Sequence, residues 1–592
     1  MKRYSDCKSN YDKFPVVRVT DHAENVCWQG WPQVVAQLRQ SLSAIDKPVK
    51  KLVIECYQGV YDEEVRGELK RSFPEAIWVD SESAMKSPEE IDRFLKDDIT
   101  DDEIFGYMTR YHMDCYFDAI KVANLRDEIS RVSSGLVVVY GVGAAYLLPQ
   151  SDLLVYADMA RWEIQLRFRS NEISNIGVDN RMERASLQYK RGFFVDWRIC
   201  DRFKKTLMKR WNYVLDTNEK GNPRMATAAA IDAGLQKAAR SPFRVVPFFD
   251  PGPWGGQWMK EICDLDRTTS NFAWCFDCVP EENSLYLGFG DIRFELPSID
   301  LVFAYPRELL GNPVYGRFGD EFPIRFDFLD TMDGGNLSLQ VHPLTQYIQE
   351  QFGMHYTQDE SYYILDAESD ASVYLGVKEG IVPSEMIAAL KEAQKTGSFD
   401  AGKYVGNYRV KKHDHVLIPA GTVHCSGRNS MVLEISATPY IFTFKLWDWG
   451  RLGLDGRPRP INIEHGRHVI QWNRTESWVR SEIYNKIEKV AEGDGWIEEH
   501  TGLHECEFIE TRRHWFTKPV FHETGGSVNV LNLVEGREAV VESPVGAFEP
   551  FVVHYAETFI IPDSVKQYTI RPYGESLGKQ CATIKAFVKH NV

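Results

Sequence analysis

Short apolar runs separated by segments of helical period fill the first 240 residues. "KLVIECY" (51–57), "GLVVVYG" (135–141) and "DLLVYAD" (152–158) are near-continuous in apolar residues, the pattern of strands buried on both faces. "YDEEVRGELKRSF" (61–73) and the alanine-rich stretch from Ala226 to Ala239 carry the helical period. Strand and helix alternating in this way predict an α/β domain with a parallel sheet over residues 1–240. Beyond Pro247 the pattern shortens to brief strands broken by Gly, Pro and Asn, with one amphipathic segment, "PSEMIAALKEAQKTG" (383–397). Residues 241–495 and 496–592 are therefore predicted as two mainly β domains, the first with a small helical insertion.

Within that β region, "GGNLSLQVHPL" (334–344) alternates strictly. Leu337, Leu339 and Val341 fall on one strand face, and Ser338, Gln340 and His342 on the other. Further on, Glu360, Tyr362 and Ile364 share a strand face. "DHVLIPAGTVHCSG" (414–427) then ends a strand in a Pro-Ala-Gly bend just before His424. Gln340, His342, Glu360 and His424 make a nitrogen and oxygen ligand set suited to zinc or a similar divalent ion, with room for water or substrate. His413 and His415 are set aside as a chance H-x-H.

The chain of 592 residues is too long for one hydrophobic core, which agrees with several domains. A formal charge of -16 disfavours nucleic acid and anionic membrane as partners and leaves a small molecule. The opening "MKRYSDCKSNYDK" lacks the apolar core of a signal peptide, and the longest apolar run, Leu136 to Leu148, is too short to span a bilayer, so a cytoplasmic protein is expected. Eleven cysteines in so long a chain predict no disulfide framework, and Cys275 and Cys278 in "CFDC", with no second such pair, are read as structural.

"VIECYQGVYDEEVRGEL" (53–69) has the strand, glycine and helix order of a phosphate loop. It offers Asp62, Glu63 and Glu64 where a lysine and a hydroxyl would meet phosphate and magnesium. "YGVGAAYLL" (140–148) is a second glycine-bearing strand end without a lysine. "YKRGFFVDWRICDRFKKTLMKRW" (189–211) is basic and aromatic and is read as a solvated helix face. With "DLLVYADMARWEIQLRFR" (152–169), these segments resemble a nucleoside-kinase-type P-loop domain whose phosphate loop is degenerate, and no ATP site is expected there.

"LSLQVHP", "DESYYILDA", "VYLGVKEG", "VLIPAGTVH" and "VLEISATPY…WDWGRLGLDGRPRPINIE", with "VVPFFDPGPWGGQWMKE" ahead of them, resemble in order and spacing the type I mannose-6-phosphate isomerases of the cupin superfamily. The resemblance implies jelly-roll barrels and one Zn2+ per chain on Gln340, His342, Glu360 and His424. It also implies interconversion of mannose 6-phosphate and fructose 6-phosphate through an enediol. Ser338, Gln358 and Arg451 are its implied substrate contacts and Arg451 and Asp448 its catalytic residues, with Asp448 or a metal-bound hydroxide as base. Two departures bear on substrate: "TQDE" puts Gln358 where bacterial members carry the lysine of "GKTE", and "WDWGR" puts Gly450 where "YDYDR" has an acid. A non-catalytic sugar-phosphate sensor that retains the ion is the alternative. "FVVHYAETFIIPDSVKQYTIRP" (551–572) repeats the barrel pattern with only His554 near it. It predicts a second cupin without metal, closing the first barrel or serving a homo-oligomer interface.

Overall fold

The computed structural model describes residues 8–438, 441–453, 456, 459–505 and 507–589. Residues 1–7 of the opening segment, and Pro439, Tyr440, Leu454, Asp455, Arg457 and Pro458 of the isomerase-like signature, lie outside the described residues. The chain forms two compact units, one of residues 16–237 with 284–304, the other of the segment before residue 16, residues 238–283 and those from 305 onward.

The first unit is built on a seven-stranded sheet. Its order is Cys27–Gln29, Arg224–Thr227, Tyr213–Asp216, Leu153–Asp158, Val49–Cys56, Gly135–Gly141, Ile77–Asp80. The five strands from Tyr213–Asp216 to Ile77–Asp80 run parallel, and the other two add an antiparallel edge. The apolar runs read from the sequence are its central strands, buried because crossover helices cover them. Helix Asp62–Ser72 opens on three acids and ends on Lys70 and Arg71, matching its dipole at both ends. The preceding loop holds Gly59 at φ +102°, where an added Cβ would lie 2.8 Å from Ile164 Cγ1. Arg167 donates to the Gly59 carbonyl at 2.7 Å and to the Thr217 carbonyl at 2.8 Å, so the loop is packed by the protein's own side chains.

The expectation of a solvated helix face at 189–211 is overturned. Helices Ala185–Arg191 and Trp197–Leu207 are joined by a π-helical turn, Gly192–Asp196, and residues 192–197 are all buried. Trp197 Nε1 donates to Gln58 Oε1 at 2.9 Å. The Lys204 ammonium bridges Asp158 at 2.8 Å and Asp300 at 2.9 Å, with all three side chains almost fully enclosed. Internal pairing lets a basic segment enter the core, which composition cannot reveal.

The second unit contains two β-sandwich barrels. In the first, a six-stranded sheet runs His415–Ile418, Glu360–Ala367, Ser430–Ala437, Ile324–Asp330, Trp274–Cys278, Phe248–Asp250. A five-stranded sheet runs Val405–Arg409, Ser372–Val377, His424–Ser426, Leu339–Val341, Phe444–Trp447. Cys275 and Cys278 are buried free thiols of one strand. The predicted insertion is helix Pro383–Thr396, which starts on a proline and stops at Gly397 in the left-handed region. The second barrel packs the sheet containing Ile509–Phe516 and Cys581–Val588 against a four-stranded sheet containing Val520–Glu523 and Gln567–Pro572. Phe516, Leu531, Val541, Phe559 and Ile570 belong to its core, each contributing about 1.5–3 kcal/mol through burial. No described helix is long and apolar enough to cross a membrane.

Candidate metal centre

Strand alternation decides which side chains enter the first barrel. Gln340 and His424 are direct partners on adjacent strands and therefore share a face, and Lys445 is paired with Gln340 on its other side. Ser338 and His342 flank Gln340 two positions away. From the facing sheet, Glu360 pairs with Ser436, which pairs with Arg325, and Tyr362 pairs with Glu434, which pairs with Asp327. The strand read as polar on one face is buried on both, because its polar face lines the barrel interior.

The structure brings together the four side chains that the sequence groups. His342 Nε2 lies 3.0 Å from Glu360 Oε2, and His424 Nε2 lies 2.8 Å from Glu360 Oε1. Gln340 Nε2 is 3.2 Å from His424 Nε2, and a half-turn of the amide would present its oxygen instead. One ligand atom from each of His342, Glu360 and His424 lies within 4.8 Å of the others, and all three residues are buried.

These residues fit a divalent cation. His342 Nδ1 approaches the Phe442 carbonyl at 3.2 Å and His424 Nδ1 the Thr422 carbonyl at 2.8 Å, which places the ring proton on Nδ1 and leaves each Nε2 lone pair facing the carboxylate. Lone pairs opposed to a carboxylate favour a positive charge between them. His342 Nε2 and Glu360 Oε1 are buried with no hydrogen-bond partner in the protein. Burial by itself would raise the Glu360 carboxyl; imidazoles in their charged form would hold it well below the usual carboxylate range, and with both rings neutral a cation among them would supply that positive charge.

Beside the four lies a basic rim. Ser338 Oγ donates to Asp448 Oδ1 at 2.8 Å, Arg451 Nη2 donates to the same oxygen at 2.6 Å, and Arg459 Nη1 lies 3.1 Å from Asp448 Oδ2 and 3.1 Å from Ser338 Oγ. Lys445 is half-buried, its ammonium has no described partner, and burial followed by the neighbouring Arg459 pushes its pKa down to about 8 against the pull of Asp448. Just before the strand Glu360–Ala367, Gln358 Nε2 donates to Glu360 Oε2 at 2.9 Å and to Glu434 Oε1 at 3.3 Å, so it touches a ligand carboxylate. Arg325 contacts Glu434 and lies 3.2 Å from Asp327. Burial raises Asp327 to about 7, with Arg325 opposing and Glu360 adding to the rise.

Sequence reasoning missed Arg325, Asp327, Glu434, Lys445 and Arg459. The alternation in "IRFDFLD" was the available signal for the first two. His413 and His415 stand apart from the centre, His413 on Tyr363 and Glu535 and His415 on Ser361 at 2.8 Å.

Residues 30–240 match a family model described as a domain of unknown function, DUF8485. Over 233 residues the chain is 30% identical to GmuF, a probable mannose-6-phosphate isomerase of Bacillus subtilis, covering 39% of this chain and 68% of that protein. It is 28% identical over 239 residues to the mannose-6-phosphate isomerase of Streptococcus mutans, covering 38% of this chain and 68% of that protein. The crystal structure of the mannose 6-phosphate isomerase from Bacillus subtilis aligns with a TM-score of 0.47 at 19% identity, over 58% of this chain and 99% of that one.

Proposed function

Because the chain belongs to the mannose-6-phosphate isomerase family, we propose that its first barrel is a metal-dependent sugar-phosphate isomerase, with mannose 6-phosphate and fructose 6-phosphate as the substrate pair and Zn2+ as the ion. The observation that carries this reading is the buried Glu360 carboxylate between the Nε2 atoms of His342 and His424.

His342, Glu360 and His424, with Gln340, would hold the ion. An ion held there would supply Lewis-acid polarisation of the oxygens at C1 and C2 of the sugar. The protein's own residues do the rest. Lys445, Arg451 and Arg459 lie on one side of the centre and supply the cationic surface for a phosphate and for charge developing in the enediol. Asp448 accepts from Ser338 and both arginines. With its oxygens so occupied it positions those groups. Asp327, raised to about 7 and on the face shared with Glu434 and Tyr362, is assigned the proton transfer between C1 and C2. Gln358 orients Glu360 through its 2.9 Å bond, and the missing lysine charge is replaced by Lys445 and Arg459 on the other wall.

A coupled assay on mannose 6-phosphate with zinc-loaded protein tests this reading. Turnover that requires the ion supports it. Saturable sugar-phosphate binding with no turnover would establish the sensor instead.

A further inference from the structure

The sequence reads the second barrel as closing or interface structure with only His554 near its pattern. Outside that segment, the strands carry His514 and His522 inward to a ring-centroid separation of 4.5 Å. Both are buried, and His514 Nδ1 and His522 Nε2 have no hydrogen-bond partner. Burial and then the neighbouring cationic and imidazole groups hold both imidazoles in the neutral form, well below their usual pKa.

The same barrel holds a cavity of about 410 Å3, within the size range of small-molecule sites, lined in part by Arg512, Lys585, Lys589 and Asn529. Alternation puts Arg512 on the face of His514, and Arg512 and Lys585 are direct cross-strand partners. Like charges placed opposite each other are unfavourable without a counter-charge between them. Glu510 is engaged by His500 and Arg512, both at 2.9 Å, and Glu523 accepts from Gln567 at 3.1 Å. Glu498 stays 3.6 Å from His514. Lys585 is 8% exposed, its ammonium has no described hydrogen-bond or ion-pair partner, and burial lowers it to about 8.

We propose that this cavity is a second ligand site, taking a small molecule through an oxyanion, phosphate or carboxylate, held between Lys585 and Arg512. Such a ligand supplies the paired counter-charge that the Lys585 ammonium lacks, while Arg512 already has one in Glu510. The assignment does not rest on the isomerase reading, since no residue of the first barrel enters it.

Calorimetric titration of the full-length protein with inorganic phosphate, and separately with citrate at matched ionic strength, tests it. The expected result is a binding event for at least one of the two anions that Lys585→Met weakens at least tenfold, that Lys585→Arg keeps within about threefold of the wild type, and that Lys445→Met in the first barrel leaves in place. Which anion binds separates phosphate from carboxylate ligands. A second readout avoids dependence on the folding of a variant: in the wild-type protein the Lys585 titration, followed by NMR after reductive methylation with labelled formaldehyde, moves to higher pH when the anion is added. Binding that Lys585→Met does not alter, together with a Lys585 titration indifferent to both anions, would overturn the proposal.

Discussion

Glu360 lies 3.0 Å from His342 and 2.8 Å from His424 although Glu360 and the histidines come from facing sheets of the barrel. The centre therefore forms only when both sheets are packed, and metal affinity reports on that packing as well as on ligand identity. Chelation of the purified protein should abolish isomerase turnover, and added Zn2+ should restore it. His424→Ala should lower kcat/KM by at least about 10³-fold, roughly 4 kcal/mol of transition-state stabilisation. Activity and metal content measured on the same samples check both outcomes.

Lys445 supplies a charge that depends on pH. Its ammonium is cationic below a pKa of about 8 and lost above it, so affinity for a sugar phosphate should weaken as pH rises through that value. Lys445→Met should raise KM about tenfold with a smaller change in kcat, since a cation on the phosphate contributes to ground-state and transition-state binding alike. Steady-state kinetics from pH 6.5 to 9 separate the two parameters, and the variant should lose the alkaline rise in KM.

Asp327 predicts the opposite limb. A base must be ionised, so kcat/KM should fall as pH drops below about 7, the value to which burial raises this carboxyl. Asp327→Asn should reduce kcat by about 10²–10⁴-fold, the usual range for a general base, and retain bound metal. Equal rates in the variant and the wild type would remove Asp327 from the reaction.

The order of what was legible follows from how strands encode faces. Gln340 and His342 could be paired from alternation, and His424 from the bend before it, because short local patterns fix them. Arg325 and Asp327 alternate with Phe326 and Phe328 in the same way, yet an interior polar face and a solvent face give identical patterns, and all seven residues of that strand are buried. Lys445 entered the site only through its pairing with Gln340. His514 and His522 lie on strands of different sheets and meet only across the barrel. In the first unit the parallel strands were readable from their apolar runs, whereas the burial of 192–197 depended on partners such as Gln58, far away in sequence.

Lys204 tests the energetics of that unit. Its ammonium is the shared partner of Asp158 and Asp300, and burial and then Asp158 drive the Asp300 carboxyl well above its usual range even with the lysine beside it. Removing the cation leaves two buried acids facing each other. Lys204→Met should destabilise the unit by about 3–5 kcal/mol, read as a lower midpoint in urea unfolding. Zinc content of the first barrel provides the control.

The central claim is that one divalent ion sits inside the first barrel on side chains from both of its sheets. Anomalous diffraction at the zinc edge from crystals of the zinc-loaded protein measures this directly. The account predicts a single strong peak about 2.0–2.2 Å from His342 Nε2, His424 Nε2 and a Glu360 oxygen, with the Gln340 amide oxygen turned toward it. Zinc found elsewhere, with no peak among these four side chains, would contradict it.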